Sequence, residues 1–477
     1  MKNETKKNNL GIFSLGLMTA AAVLTSLRGI PLIAKEEMTM FVYLAFALIF
    51  FLIPASLVSA ELGAAFSNRK GGIFIWVGEA FGKKWGFLAI WLQWVQNLVW
   101  YPTALAFAAS AFAYAIGKSE LSENHFYVGI FCIVTYWLAT FLAFKGVNVF
   151  AKISNYAFIV GTVLPGIFLF ILFIYWISSG HQPAWNNISS PALEHLGHPR
   201  LWPEIKGFGT ISFLAGILLT FAGIEVQSVH VIEMKNPARD FPIAIALGAL
   251  IALIISILVA IPIAAILPYE EINLTNGVFM TFKVVIDNIW HMPLLSKLLS
   301  FLVCFGVMGG IFAWIASPCR GLLVTAEEGE LPDSLSKTNK NDMPTRIMTI
   351  QGMIVTLISC LYFVMDDVEV GFLLISAMTI ALYLIMYMLM YLSLIKLRYS
   401  KPELIRPFSV PFGKVGAWTI AGIGFIAMLF SFIVSFFPPE QLPISSPALY
   451  TIIVIVSTII FTSLPLIIHN IRKKNCE

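Results

Sequence analysis

Twelve apolar runs, each long enough to cross a bilayer, constrain this chain more than any other feature. A spanning helix needs about 20 mostly apolar residues. Runs of that kind fall near 11–33, 39–66, 86–117, 126–144, 153–178, 208–232, 243–268, 295–324, 345–365, 369–397, 414–437 and 446–470. Composition agrees: 58% of the 477 residues are hydrophobic and 12% are charged. A soluble domain carries about twice that charge, so lipid must be the main solvent here. The sequence therefore predicts an all-α polytopic membrane protein, a single transmembrane domain over 1–477 with no soluble domain. The lipid bilayer is its first partner, and the net charge of +4 gives no reason to expect nucleic acid.

The N-terminus carries Lys2, Lys6 and Lys7 before an apolar run from Leu10. The run is too long for a signal peptide and contains Arg28 and Pro31; it reads as the first span. With the N-terminus inside, 23 of the 30 Lys and Arg fall in inside segments and six in outside segments, leaving Arg28 within the membrane. This bias predicts cytoplasmic termini and an even number of spans. The five cysteines show neither a disulfide framework nor metal-ligand spacing.

Enzyme chemistry finds no support. Neither His-Glu-x-x-His nor Gly-x-Ser-x-Gly occurs, and no phosphate-binding loop is present. Gly422–Ala427 fits a dinucleotide-binding pattern, but it lies inside an apolar span with no preceding strand. No catalytic residue, cofactor or metal is expected. A channel or sensor would bring a pore-lining charge ring or a soluble domain, and neither is legible.

Function in a membrane bundle concentrates where helices break or charges are buried. The first span reads Ala22-Val23-Leu24-Thr25-Ser26-Leu27-Arg28-Gly29-Ile30-Pro31, where Pro31 deletes a helix hydrogen bond and Gly29 lowers helix propensity. The sixth reads Leu219-Thr220-Phe221-Ala222-Gly223-Ile224-Glu225. These positions correspond if repeat one (about 11–178) and repeat two (about 208–397) are inverted copies, with two further helices over about 414–470. Paired breaks at such positions point to a transport site. Their half-helix N–H groups suit a carboxylate and their freed carbonyls an ammonium, the two ends of an α-amino acid. Either break alone could equally serve packing.

Arg28 is a costly mid-membrane cation. It can recognise a substrate carboxylate, pair permanently with Glu225, or snorkel to the interface. Glu225 can carry a proton or a fixed interhelical hydrogen bond. Gln93, Gln96 and Asn97 share one face of the third span. Glu61 and His230 read as inner gate or structural residues. Gly306 and Gly310 read as a packing pair.

Several separate motifs then carry a resemblance. Ala60–Phe66, Gly71–Val77 and Ala80–Gly82 follow one another around the second span. Glu233–Pro242 follows the sixth, and Arg320–Leu322, Gly329–Pro332, Lys337, Asn339–Asn341 and Pro344 follow the eighth. From about Gly11 to about residue 470 the chain resembles the amino acid–polyamine–organocation (APC) transporters, with the bacterial glutamate/GABA antiporters as the most similar branch. The resemblance implies a LeuT-like 5+5 inverted repeat with broken helices 1 and 6, and amino acid substrates. It places Thr25 and Ser26 at the substrate carboxylate, with Ala22, Leu219 and Ala222 offering carbonyls to the α-ammonium beside the Gly223 break. It further implies Trp314 stacking on substrate, Gln96 lining the path, and Glu225 and Glu61 in coupling or gating. The expected function is amino acid exchange of glutamate/GABA type in the inner membrane, by a monomer or homodimer; the alternative is a proton- or sodium-coupled symporter. The chain departs from that branch at Arg28, at Gly310 and in ending at Glu477, where the antiporter has a pore-plugging tail.

Overall fold

A computed structural model describes residues 11–24, 26–67, 69, 71–146, 154, 156–186, 198–226, 234–365, 367–440 and 446–476. Among them every regular element is helical. Eleven helices are long and apolar enough to cross a membrane. A twelfth span is the pair Ile12–Val23 and Leu27–Ala34, bent by 46°. The expected all-α polytopic architecture is therefore observed, with boundaries a few residues from the sequence reading; the third and tenth spans are Lys83–Ala115 and Val368–Ser400.

Local chemistry explains several boundaries. The helix Pro237–Ile266 starts earlier than its apolar run because proline is pre-organised for the first helical position and Asp240 sits in the first turn. In the second span a π turn, Leu48–Leu52, ends two residues before Pro54. In the fifth, Ile159–Val163 ends two residues before Pro165. A proline cannot donate to the carbonyl four residues back and its ring crowds that carbonyl; a widened turn relieves both.

The third and tenth spans are central: 78% and 83% of their most apolar windows are buried, against 22% for the twelfth, Pro447–Arg472. The third packs on the eighth (Pro293–Phe312, its helix continuing to Glu327) and on the tenth, while the first packs on the seventh (Arg239–Ile266). Small residues set the closest crossings. A Cβ on Gly306 would lie 2.9 Å from Gly161 Cα, and one on Gly309 would lie 2.1 Å from Ala157 Cβ. The eighth span thus meets the fifth through Gly306 and Gly309.

Polar contacts sort the loops into two ends. At the basic end Glu79 pairs with Arg69 and Lys401, Lys83 lies 3.4 Å from Glu328, and His469 Nδ1 lies 2.5 Å from Glu330. The Lys401 hydrogen bond, followed by Arg69, holds the Glu79 carboxyl below its ordinary range. At the opposite end Arg200 Nε donates to Glu37 (2.8 Å) and Lys35 Nζ to the Ile272 carbonyl (2.9 Å). Burial works against the Arg200 cation, but Glu36 and Glu37 outweigh it and raise its pKa. Alternate loops gather at alternate ends, as successive spanning helices require.

Candidate functional site

The first span stops being α-helical at Val23, because Leu24 (φ −102°, ψ 63°) leaves helical space. Ser26 is fully extended (φ −165°, ψ 173°), and its Oγ accepts from the Arg28 N–H at 3.3 Å. A 3-10 turn, Leu27–Gly29, then leads into Ile30–Ala34. The sixth span breaks in the same manner. Its α-helix, Phe213–Thr220, ends and Gly223 adopts φ +111°, a left-handed conformation that glycine tolerates without penalty. The Gly223 N–H, freed from the helix ladder, donates to Tyr387 Oη at 2.8 Å.

The two breaks touch. A Cβ on Gly29 would come within 2.5 Å of Thr220 Oγ1, and one on Gly223 would lie 3.3 Å from both the Ala22 carbonyl oxygen and the Trp314 ring. Glycine at both positions lets the interrupted backbones approach each other and the eighth span.

Between them lies a cavity. Ala22, Ser26, Arg28, Gln96, Leu219, Ala222 and Trp314 all line it, so seven of the sequence-derived candidates converge. Thr25 and His230 lie outside the described residues. Gly223 supplies the kink behind the wall, and Glu225 sits one turn beyond. Glu61 is elsewhere, at the basic end. Its Oε2 accepts from Arg398 Nη2 (2.6 Å) and the Val410 N–H (2.7 Å), while Arg406 Nε stands 3.2 Å from Oε1 as an ionic contact without hydrogen-bond alignment. It ties the second span to the tenth and the following loop, and it does not touch the cavity.

Arg28 is 9% exposed, and Nη1 donates to Thr103 Oγ1 at 2.7 Å. Its guanidinium carbon lies 5.8 Å from the Trp100 ring and 5.4 Å from the Phe372 ring. No acidic side chain among the described residues pairs with it: of the three alternatives, the ion pair with Glu225 is not formed in this structure, and the guanidinium lies buried against Thr103, Trp100 and Phe372. Glu225 (2% exposed) is held otherwise: Tyr383 Oη donates at 2.6 Å and Gln93 Nε2 at 3.1 Å to Oε1, and Tyr387 Oη donates at 2.5 Å to Oε2. Among the described residues the hydrogen-bond partners of this carboxylate are all donors. Tyr387 therefore joins the Gly223 break to Glu225 through one hydroxyl.

Sequence reasoning missed Trp100, Thr103, Phe372, Tyr383 and Tyr387. Two were within reach, because Trp100 and Thr103 extend the Gln93, Gln96, Asn97 stripe at helical spacing. Tyr383 and Tyr387 stand four apart on a span too apolar for its pathway face to show.

A buried site at paired helix breaks, in an all-helical membrane bundle, defines the class of a membrane carrier with a central binding site. The chain matches the amino acid permease family over residues 10–458 and belongs to it. It is 35% identical to an uncharacterized transporter of Legionella pneumophila, over 97% of both chains. It is 31% identical to the glutamate/gamma-aminobutyrate antiporter of Lactococcus lactis, over 99% of this chain and 92% of that one. It is 26% identical to the putrescine transporter PotE of Escherichia coli, over 61% of each. It is thus an amino acid transporter of the APC superfamily, near the glutamate/GABA antiporter branch, and not an enzyme.

Proposed function

We propose that this chain is an amino acid antiporter of glutamate/GABA type, working by alternating access in a bacterial inner membrane with both termini cytoplasmic. One observation carries the reading: a buried arginine with no acidic partner among the described residues lines the cavity between the two breaks. A buried cation costs about 2.5–3.5 kcal/mol on insertion scales, and a substrate carboxylate offsets that cost where no side chain does. The backbone around Ser26 then receives the α-carboxylate, the carbonyls of Ala22, Leu219 and Ala222 receive the α-ammonium, and Arg28 reads a second carboxylate. Gln96 and Trp314 bound the substrate. In this reading 11–178 and 208–397 are inverted repeats, and rocking of part of the bundle against the rest opens the site to each side in turn. The name of the Lactococcus relative supports exchange.

The Glu225 cage favours a second reading. A buried carboxylate linked by Tyr387 to the Gly223 break suits proton-coupled symport. The test of the first reading is competition. Arg28→Ala removes hydrogen bonds to a charged group, each contributing about 1.5–3 kcal/mol, so acidic competitors should weaken about ten- to hundredfold and neutral ones little. Equal loss for both defeats the reading.

A further inference from the structure

A second cavity adjoins the first and shares Arg28, Gly29, Leu219 and Thr220 with it. It extends between the first, sixth and tenth spans to the outer ends of the eleventh and twelfth, at Ser435 and Tyr450. Its walls are mostly apolar, including Leu32, Phe213, Leu373 and Ile380. Among the described residues no acidic side chain lines it.

Two hydroxyls there lack hydrogen-bond partners among the described residues: Ser212 Oγ and Ser376 Oγ, on residues 8% and 6% exposed. Other hydroxyls of the wall are occupied within their own helices. Thr220 donates to the Gly216 carbonyl and Ser435 to that of Phe432. A buried hydroxyl without a partner is costly unless something meets it. Arg28 has donors to spare, since a guanidinium carries five and one goes to Thr103.

The geometry points to a second ligand site: this cavity binds a small carboxylate on an apolar body, with the carboxylate meeting Arg28, Ser212 and Ser376 and the body lying against Phe213, Leu373 and Ile380. The inference shares Arg28 with the transport reading; Ser212, Ser376 and Ala377, which line the second cavity and not the first, separate the two.

The test is calorimetric titration of the full chain in lipid nanodiscs with phenylacetate, using neutral phenylacetamide and empty nanodiscs as controls. The expected result is saturable binding of phenylacetate alone. The double variant Ser212→Ala/Ser376→Ala should weaken it at least tenfold. Ala377→Trp, which fills the second cavity from a position outside the first, should abolish it while amino acid transport persists. No saturable binding, equal binding of the amide, or an unchanged affinity in the double variant overturns the proposal. Loss in Arg28→Ala with no loss in the double variant overturns it too, by placing the ligand in the first cavity.

Discussion

Replacing Tyr387 by Phe removes one hydroxyl that serves two buried groups. It accepts from the Gly223 N–H at 2.8 Å and donates to Glu225 at 2.5 Å. An ordinary hydrogen bond contributes about 0.5–1.5 kcal/mol and one to a charged group about 1.5–3. Losing both leaves a backbone donor and a carboxylate oxygen unmet, so the variant should lose about 2–4 kcal/mol. Tyr383→Phe removes only a bond to Glu225 Oε1, which keeps Gln93, and should cost about 1.5–3 kcal/mol. Tyr391 is the internal control. It is fully buried and its hydroxyl has no partner among the described residues, so Tyr391→Phe should be neutral or stabilising. Denaturant titration in mixed micelles, followed by tryptophan fluorescence, gives the order. Tyr387→Phe should also slow transport more than Tyr383→Phe, since it alone frees the sixth-span break. If Tyr391→Phe is as damaging as Tyr387→Phe, ring packing rather than the hydroxyl network holds this region and the argument fails.

Gly29→Ala places a methyl within 2.5 Å of Thr220 Oγ1; transport should fall at least tenfold, and Gly29→Ala/Thr220→Ala should recover part of it in the same uptake assay. Glu79 gives a pH prediction with a fixed sign. Its folded pKa is depressed, so its contribution is full above the unfolded carboxylate value near 4.3 and fades as pH falls through the lower folded value. Thermal melts from pH 6 to 3 should show a shallower acid loss for Glu79→Gln than for the wild type, and identical slopes would remove Glu79 from the account.

The spans were legible because lipid demands about 20 apolar residues in a row, and the basic residues of the alternate loops gave the two ends before any contact was known. The two breaks were legible because Pro31, Gly29 and Gly223 are costly in a helix interior. Partner choice was not. Arg28 and Glu225 lie beside the breaks of two spans, and opposite charges invite pairing. Their actual partners, Thr103, Tyr383, Tyr387 and Gln93, come from two other spans whose rotation about their own axes no local pattern states. Glu61 shows the same limit from the other side: its role as an anchor for Arg398 and the Val410 N–H depends on the path of a loop after the tenth span.

Exchange itself is tested most directly in proteoliposomes. Vesicles containing the purified chain are loaded with unlabelled glutamate or left empty, and labelled glutamate is added outside without an ion gradient. The account predicts rapid labelled uptake only into loaded vesicles, stimulated also by trapped GABA. Equal uptake into empty vesicles, or uptake that appears only with an imposed proton or sodium gradient, would contradict antiport and leave the coupled symporter standing.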